Sequence, residues 1–253
     1  MGAELKRRYI KGENTFWIGL VLLTTVALSA GYIVMIKKSA GKGCALDAVY
    51  LITQHTVFPM LALAAGVFNM KAIQNDSNSK IVMKYKTKKK LWFTQVMCSF
   101  FSAFILGVSV TFIAVISGYY VFGRFYNWES KQSFYRYTLL DTGVDYTISM
   151  SPILILVLSW IMTSLLFLLT FLIGMIANNI TRSFSAAIVI MIIMAGADLF
   201  IPCFYSRLNL YLVNWVNLPQ CLKKIGIVIV INIILFIAGT LIAPFREYYD
   251  KEV

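Results

Sequence analysis

Six long runs of apolar residues constrain the fold of this chain more than any other feature of its sequence. The runs are Thr15–Ile36, Ala48–Met70, Leu91–Gly123, Tyr146–Thr181, Ser183–Ser206 and Ile225–Phe245. About 20 apolar residues, rising about 1.5 Å each along a helix, cross the roughly 30 Å hydrocarbon layer of a bilayer, so every run is long enough. Backbone polar groups in lipid must bond within their own segment, and the runs therefore predict six transmembrane helices.

Composition supports this prediction and argues against two other classes of protein. Hydrophobic residues make up 59% of the chain and charged residues 13%, against roughly half and a quarter in soluble domains. Strands of a membrane barrel would be about 10 residues long and would alternate polar with apolar positions, which these runs do not do. The net charge of +12 would suit nucleic acid, but the basic residues flank the apolar runs as they do in membrane proteins. We expect a single all-α membrane domain over residues 1–253 and no nucleic-acid partner.

The distribution of Lys and Arg predicts the orientation. Six spans place both termini on the same side, and that side holds fourteen of the 23 basic residues. Seven of the fourteen lie in the loop 71–90. The positive-inside rule then predicts a multi-pass protein of the plasma membrane with both termini and this loop in the cytoplasm, although Lys37 and Lys38 run against the rule.

Two segments on the predicted cytoplasmic side could be more than connections. Residues 1–14 are polar and basic and could form an interfacial helix or a simple basic tail. The loop 71–90 contains a short amphipathic stretch, which consists of Lys80, Ile81, Val82, Met83, Lys84 and Tyr85. This loop could anchor the topology, bind anionic lipid, or dock a cytoplasmic partner, and an apolar helix face favours docking because topology alone does not require one.

Two segments on the opposite side are too short or too polar to cross. Gly123–Asp145 is rich in aromatic residues, which we expect to anchor the segment along the outer interface. The outer segment 207–224 includes the uncharged stretch Leu208–Leu222, which is predicted to be interfacial or re-entrant. Cys203 and Cys221 flank part of this region and could form a disulfide if it faces an oxidising compartment, or remain free small apolar side chains.

Five polar side chains and one aromatic side chain inside the apolar runs are candidates for a substrate path. The candidates are Thr25, Ser29, Gln54, His55, Phe58 and Asp198. For most such positions the simpler interpretation is helix packing, because small and polar residues let helices approach closely. His55 and Asp198 differ, since an ionisable group at membrane depth is costly and commonly faces a bundle interior or a wet cavity. Asp198 lies near the predicted outer end of its span, where we expect water to reach it.

Catalytic and metal-binding patterns are missing from the sequence. A single histidine rules out the H-E-x-x-H motif, and the cysteines have no C-x-x-C spacing. The glycine-rich stretch Gly41-Lys42-Gly43 lacks the spacing of a phosphate-binding loop. We therefore expect no enzyme activity and no cofactor bound by this chain, so any work would be driven by a partner or a gradient.

The layout of the spans and loops resembles the half-size permease of type-2 ABC exporters. The resemblance rests on the short basic amino terminus, the six spans, and the loop Asn75–Lys90 followed by Leu91-Trp92-Phe93. It also rests on the turn Gly174–Ser183 between spans 4 and 5 and on the short outer segment Leu208–Leu222.

What the resemblance implies is a transport subunit that works as a dimer. It implies a coupling helix in the cytoplasmic loop, a separate ATP-binding cassette ATPase that holds ATP and Mg²⁺, and a second permease copy. It further implies export of amphipathic molecules, such as antimicrobial or toxin peptides or drugs. The alternative is a gradient-driven transporter or a membrane binding component that has no ATPase partner.

Overall fold

A computed structural model gives the architecture of most of the chain. It describes residues 19, 22–27, 30–31, 33–34, 42–52, 54, 57–74, 76, 85, 87–140, 150–201, 203–210, 214–215 and 217–245. About 85% of the structure is helical, and the described part contains no strand. The predicted interfacial segment 1–14 lies outside the described residues. The described positions between 19 and 34, which belong to the first predicted span, are helical.

After the helical positions between 19 and 34, eight helices follow one another along the described chain. They are α1 (Ala45–Ile52), α2 (Phe58–Gln74), α3 (Lys88–Phe122), α4 (Phe134–Leu140), α5 (Pro152–Thr181), α6 (Phe184–Phe200), α7 (Tyr205–Leu208) and α8 (Leu218–Ile242), and the turn Ala243–Phe245 extends α8 as a 3₁₀ helix. Local sequence fixes several boundaries. Thr87, Ser151 and Ser183 cap the amino ends of α3, α5 and α6 with their side-chain oxygens, as short polar residues at this position do.

Three of the helices are long and apolar enough to cross a membrane, namely α3, α5 and α8 with its extension to Phe245. The shorter helix α6 is also apolar. Large apolar side chains lie exposed along α3 and α8, for example Ile105, Phe112, Ile234 and Leu241. An exposed apolar surface of this extent is what lipid would cover. The described residues thus have the fold of an all-α membrane protein, with three long apolar helices and one shorter one among them, and the six predicted spans are not confirmed.

Helix α5 is the centre of the bundle. It packs against α3, α8, α6 and α2, and α2 also packs against α6. Close approaches explain how the helices fit together. A Cβ added to Gly66 would lie only 2.8 Å from the Sδ atom of Met191, and one added to Gly174 only 2.9 Å from the same atom. A methionine of α6 therefore fills the space left by one glycine of α2 and one of α5. Small residues at helix crossings serve this purpose in membrane proteins.

The second predicted span is not one continuous helix. α1 ends at Ile52 and α2 begins at Phe58, with a bend at Gln54 between them. Pro59 is the physical reason, because proline has no N–H to donate to the preceding turn and is tolerated only near the start of a helix. The predicted run Ala48–Met70 is therefore interrupted, and α1 packs mainly on α3 whereas α2 packs on α5 and α6.

The last two predicted spans also have different limits from those expected. Helix α6 corresponds to the fifth predicted span. It ends at Phe200 and is therefore shorter than the predicted run Ser183–Ser206. α8 begins at Leu218, with Pro219 in its first turn, so residues 218–224 belong to the last long helix and not to a separate outer segment. Among the described residues between α6 and α8, Tyr205–Leu208 form the short helix α7, and Asn214 and Trp215 form a 3₁₀ turn.

The aromatic residues after α3 fold back on the protein and do not all serve as interface anchors. Trp128 is 1% exposed and Tyr135 is fully buried, and their rings stack at 4.3 Å between centroids. The segment is fastened by a hydrogen bond from the Lys42 N–H to the Gln132 carbonyl and by one from the Ala45 N–H to the Arg124 carbonyl. We refer to residues 42–47 and 123–135 together as the cap.

Candidate functional site

The end of the bundle opposite the cap is the place where the basic loop meets the helices. We refer to it as the Lys88 end, and the described basic residues there are Lys71, Lys88, Lys89, Lys90 and Arg182. Lys89, Lys90 and Arg182 are exposed, whereas the ammonium group of Lys71 lies 5.1 Å from the centre of the Phe184 ring. This cation–π contact joins the end of α2 to the start of α6.

The loop between α2 and α3 is fastened at both of its ends. Near α3, Tyr85 is 8% exposed, its carbonyl accepts a hydrogen bond from the Thr87 N–H, and Thr87 caps α3. Near α2, Asp76 is 1% exposed, and its Oδ2 accepts a hydrogen bond of 3.2 Å from the Gln95 side chain. A buried carboxylate needs such a partner, because losing water without one is costly. The loop therefore begins and ends on fixed points of the bundle.

The first turns of α3 contact the far end of α8. Lys88 Nζ donates a hydrogen bond of 3.1 Å to the Pro244 carbonyl. One turn further on, the indole ring of Trp92 fills the space beside Gly239, and a Cβ at that glycine would overlap the ring. α8 thus meets α3 at a position where only a glycine fits.

A buried polar cluster lies about two turns further along α3 than Trp92. The Ser99 hydroxyl of α3 lies 3.0 Å from Asn69 Oδ1 of α2 and 3.4 Å from Met175 Sδ of α5. All three residues are at most 1% exposed. Hydrogen bonds between helices are favoured where water is absent, so this cluster joins three helices near the Lys88 end.

Most of the predicted coupling residues lie outside the described part of the chain, namely Lys80, Ile81, Val82, Met83 and Lys84. Tyr85 is described and buried, so it packs against the bundle and does not face solvent. Tyr85 lies beside Thr87, which caps the amino end of α3, and it therefore anchors the loop. Contact between this stretch and a partner stays a prediction.

The predicted path residues are scattered in the structure. Ser29 and His55 lie outside the described residues, and Thr25 is fully buried. Gln54 is half-buried at the bend between α1 and α2, where its carbonyl accepts the N–H groups of Val57 and Phe58. Phe58 is fully buried and stacks on Phe167 of α5 at 5.5 Å. No described contact joins these side chains into one continuous polar surface.

Asp198 is fully buried, contrary to the expectation that water reaches it. Its Oδ1 accepts the N–H groups of Cys203 and Phe204 at 3.0 and 2.6 Å. Its Oδ2 accepts the N–H and the hydroxyl of Ser206 at 2.9 and 2.8 Å. The carboxylate thus organises the turn from α6 into α7, and a place in a substrate path stays a prediction.

The turn that Asp198 stabilises places the side chain of Tyr205 in the core. Tyr205 is 2% exposed, and its hydroxyl lies 2.9 Å from the Thr170 hydroxyl of α5. Its ring also meets Phe58 edge-on at 5.7 Å between centroids. Tyr205 is therefore packed into the bundle, and the predicted re-entrant course of residues 208–217 stays a prediction.

A second buried carboxylate, Asp47, holds the cap together. Its Oδ2 accepts the Cys44 N–H at 2.7 Å and its Oδ1 accepts the Trp128 indole N–H at 2.7 Å. The first bond satisfies a free N–H at the amino end of α1, as an acid in the first turn of a helix can. Asp47 lies just before the second apolar run, outside the membrane-spanning helices. Removal from water raises the pKa of its carboxyl from 3.8 to about 6.

The raised pKa of Asp47 predicts a cap that is more stable in mild acid. The folded cap takes up a proton below pH 6, whereas the unfolded chain does so only near pH 3.8. Stability should therefore rise as the pH falls from 7 to 4, and a pKa shift of this size corresponds to about 3 kcal/mol. Thermal unfolding of the detergent-solubilised protein at pH 7 and pH 4 would measure most of the effect.

The matched control for the pH effect is Glu129→Gln, which removes an exposed acid of the same cap. This variant should keep the dependence on pH, whereas Asp47→Asn should lose most of it. Equal melting temperatures of the wild-type protein at the two pH values would contradict the assignment.

The four cysteines do not form a disulfide in this structure. Cys203 is exposed, whereas Cys221 is buried and its thiol lies 2.9 Å from the Asn214 carbonyl. The Cys203–Cys221 bridge considered from the sequence is therefore not formed. The described residues also contain no cluster of His, Cys, Asp and Glu that could hold a metal ion.

Sequence reasoning missed the residues that hold the two ends of the bundle. Gln95 and Trp92 look like ordinary members of an apolar run, and Asp47 sits one residue before another run. A weak signal existed for Asp47, because an acid three residues after a helix start can accept a free backbone N–H. No signal in the sequence pairs Gln95 with Asp76.

Comparisons with known proteins leave the family open. No protein-family model, no curated protein and no solved structure matches this chain.

Proposed function

We propose that this chain is the membrane permease subunit of an ATP-driven exporter. The observation that carries the proposal is the fixed attachment of the basic loop between α2 and α3. Tyr85 is buried, Thr87 caps α3, and Asp76 bonds to Gln95, so both ends of the loop are joined to the bundle. A loop that served topology alone would need its basic charges but no buried anchors at its two ends.

The fixed loop would act as the receiver for a cytoplasmic ATPase. Residues 80–84 would face the ATPase, and Tyr85 would hold them in place. ATP and Mg²⁺ would be bound by that ATPase, whose closure would push on the loop and move the helices in a hinge or shear motion. In this proposal the Lys88 end faces the cytoplasm, the cap faces outward, and two permease copies share the work.

The exported molecules would be amphipathic, with peptides or drugs as the leading classes. The exposed faces of α3, α6 and α8 are strongly apolar, with Phe112, Ile193 and Ile234 among their exposed side chains. Several described polar groups of the bundle interior are bonded to neighbouring helices, for example Ser99 to Asn69 and Tyr205 to Thr170. These features favour lateral movement of an amphipathic molecule at the lipid face over a hydrophilic channel.

Replacing Met83 by aspartate tests the proposal. A charge placed in an apolar protein contact should weaken binding of the ATPase about tenfold or more. The affinity-tagged chain would be purified from its native membranes, and an associated protein with the G-x-x-x-x-G-K-[ST] sequence would be sought by mass spectrometry. ATP hydrolysis of the purified complex would then be measured.

The matched control is Met83→Leu, which keeps an apolar side chain and should preserve both association and hydrolysis. The proposal is wrong if the wild-type chain carries no such ATPase. The placement of the contact at residue 83 is wrong if Met83→Asp retains the ATPase as well as the wild type does.

A gradient-driven transporter is the second candidate, and the break between α1 and α2 favours it. Transporters of this class often bind substrate where a membrane helix is interrupted, and here the helix stops at Ile52 and resumes at Phe58. Transport by the purified chain alone in proteoliposomes, driven by a proton or sodium gradient, would establish this alternative over the first.

A further inference from the structure

Four residues of α3 that contact other parts of the chain near the Lys88 end lie on a single stripe of the helix. Lys88, Trp92, Gln95 and Ser99 follow at spacings of four, three and four residues, which places them on one face of the helix. Their partners come from other parts of the chain: Pro244 and Gly239 at the end of α8, Asp76 in the loop, Asn69 in α2 and Met175 in α5.

We infer that this stripe transmits movement of the loop to the membrane helices, and that the hydrogen bond between Asp76 and Gln95 is its input. The inference rests on the proposed function, because the partner ATPase is the source of the movement. Asp76 and Gln95 are positioning residues in this scheme, since they would act through the loop and would touch neither ATP nor substrate.

The bond is needed because α2 and α3 make few contacts with each other. Thr87 joins the carboxyl-terminal end of the loop directly to α3, whereas the amino-terminal end, or near end, follows α2 at Gln74. By bonding Gln95, Asp76 ties this near end to the second full turn of α3 as well. Both ends of the loop are then held by the same helix, so a push on the loop moves α3 and not only α2.

Burial makes the stripe stiff. Trp92, Gln95 and Ser99 are at most 6% exposed, and Asp76 is 1% exposed. Polar contacts without competing water are stronger than exposed ones, and packed interiors pass on displacement because they compress little. Movement of the stripe would reach α8 through Trp92 and Gly239, and α5 through Ser99 and Met175.

Gln95→Leu tests this inference in the complex of the chain with its ATPase, reconstituted in lipid nanodiscs. Cys203 supplies the readout, because it is exposed on the side of the cap while Cys44, Cys98 and Cys221 are buried. Its labelling rate with a membrane-impermeant maleimide would be measured with and without ATP and vanadate. We expect the nucleotide to change that rate in the wild type. In Gln95→Leu the change should fall about tenfold, as for loss of a hydrogen bond to a charged group.

The control variant is Gln74→Leu, which removes an exposed amide at the start of the same loop and should respond like the wild type. The double exchange Asp76→Asn with Gln95→Glu places donor and acceptor in reversed positions and should restore the response that either single exchange loses. If Gln95→Leu does not fold, the single exchange Asp76→Asn and the double exchange carry the test.

The results separate the two proposals. A wild-type chain that carries no ATPase overturns the proposed function and this inference together. An ATPase that stays bound while Gln95→Leu, or Asp76→Asn in its place, responds like the wild type overturns the inference alone. A bound ATPase whose nucleotide leaves Cys203 labelling unchanged in the wild type also overturns the inference, because movement then does not reach the helices.

Discussion

Replacing Asp198 by alanine should cost about 4 kcal/mol of stability or more, since it removes several hydrogen bonds to a buried charged group at once. The carboxylate accepts the N–H groups of Cys203, Phe204 and Ser206 and the Ser206 hydroxyl. In Asp198→Ala these donors, which include the buried N–H and hydroxyl of Ser206, would lose their acceptor. A buried donor left unsatisfied costs about 1–3 kcal/mol.

Loss of the turn should also release Tyr205 from the core. Its hydroxyl would leave Thr170 and its ring would leave Phe58, so the segment after α6 should become open to protease. Thermal unfolding in detergent and limited proteolysis of residues 201–217 would measure the two effects. Both should be large and should appear together.

Two further variants control the Asp198 experiment. Ser206→Ala removes only the hydroxyl bond and keeps the Ser206 N–H bond, so it should cost about 1 kcal/mol. Asp198→Asn keeps one acceptor oxygen and should lie between the other two variants. If Asp198→Ala is as stable as the wild type but abolishes transport, the carboxylate serves the substrate path and the structural assignment is wrong.

Replacing Gly239 by leucine should be the second severe change, with a loss of about 3 kcal/mol. A side chain at this position would overlap the indole ring of Trp92, which is 2% exposed and cannot move aside freely. α8 would have to separate from α3, and the bond from Lys88 to the Pro244 carbonyl would break with it. Thermal unfolding of the purified protein would show the loss.

Gly226 provides a matched control in the same helix. A Cβ at Gly226 would meet nothing within 4 Å, so Gly226→Leu should leave stability unchanged or raise it by up to about 1 kcal/mol through helix propensity. The packing assignment fails if the two leucine variants melt at the same temperature.

The sequence predicted the helical class well because its signal is long and local. Runs of more than twenty apolar residues can satisfy their backbone only as helices, and α3, α5 and α8 agree with this. The limits of the helices depended on single residues whose effects are less certain. Hydropathy alone predicts one continuous span over Ala48–Met70, but Pro59 interrupts the helix. Hydropathy also extends the fifth span beyond Phe200, where hydrogen bonds to Asp198 instead form a turn.

The candidate site could be predicted only in outline, because its contacts join residues that are distant in sequence. The basic loop was evident from composition, but its anchor on Gln95 depends on how α2 and α3 are placed in space. The prediction that the aromatic residues after α3 anchor the segment at the interface was wrong for Trp128 and Tyr135, which stack on each other in the buried cap. Aromatic residues beside a membrane span suit an interface and a buried core equally well, so the sequence does not distinguish the two.

The unequal helix lengths have a consequence for the surrounding lipid. α6 has 17 residues and is about 25 Å long, whereas α3 has 35 residues and is about 52 Å long at the same rise per residue. Both present apolar side chains outward, among them Ile193 and Phe112. Acyl chains beside α6 must therefore cover a shorter apolar wall than those beside α3, and mismatch of this kind is relieved by local thinning of the bilayer. The protein should thus be surrounded by a lipid shell of uneven thickness, thinnest where the turn held by Asp198 ends the apolar face of α6.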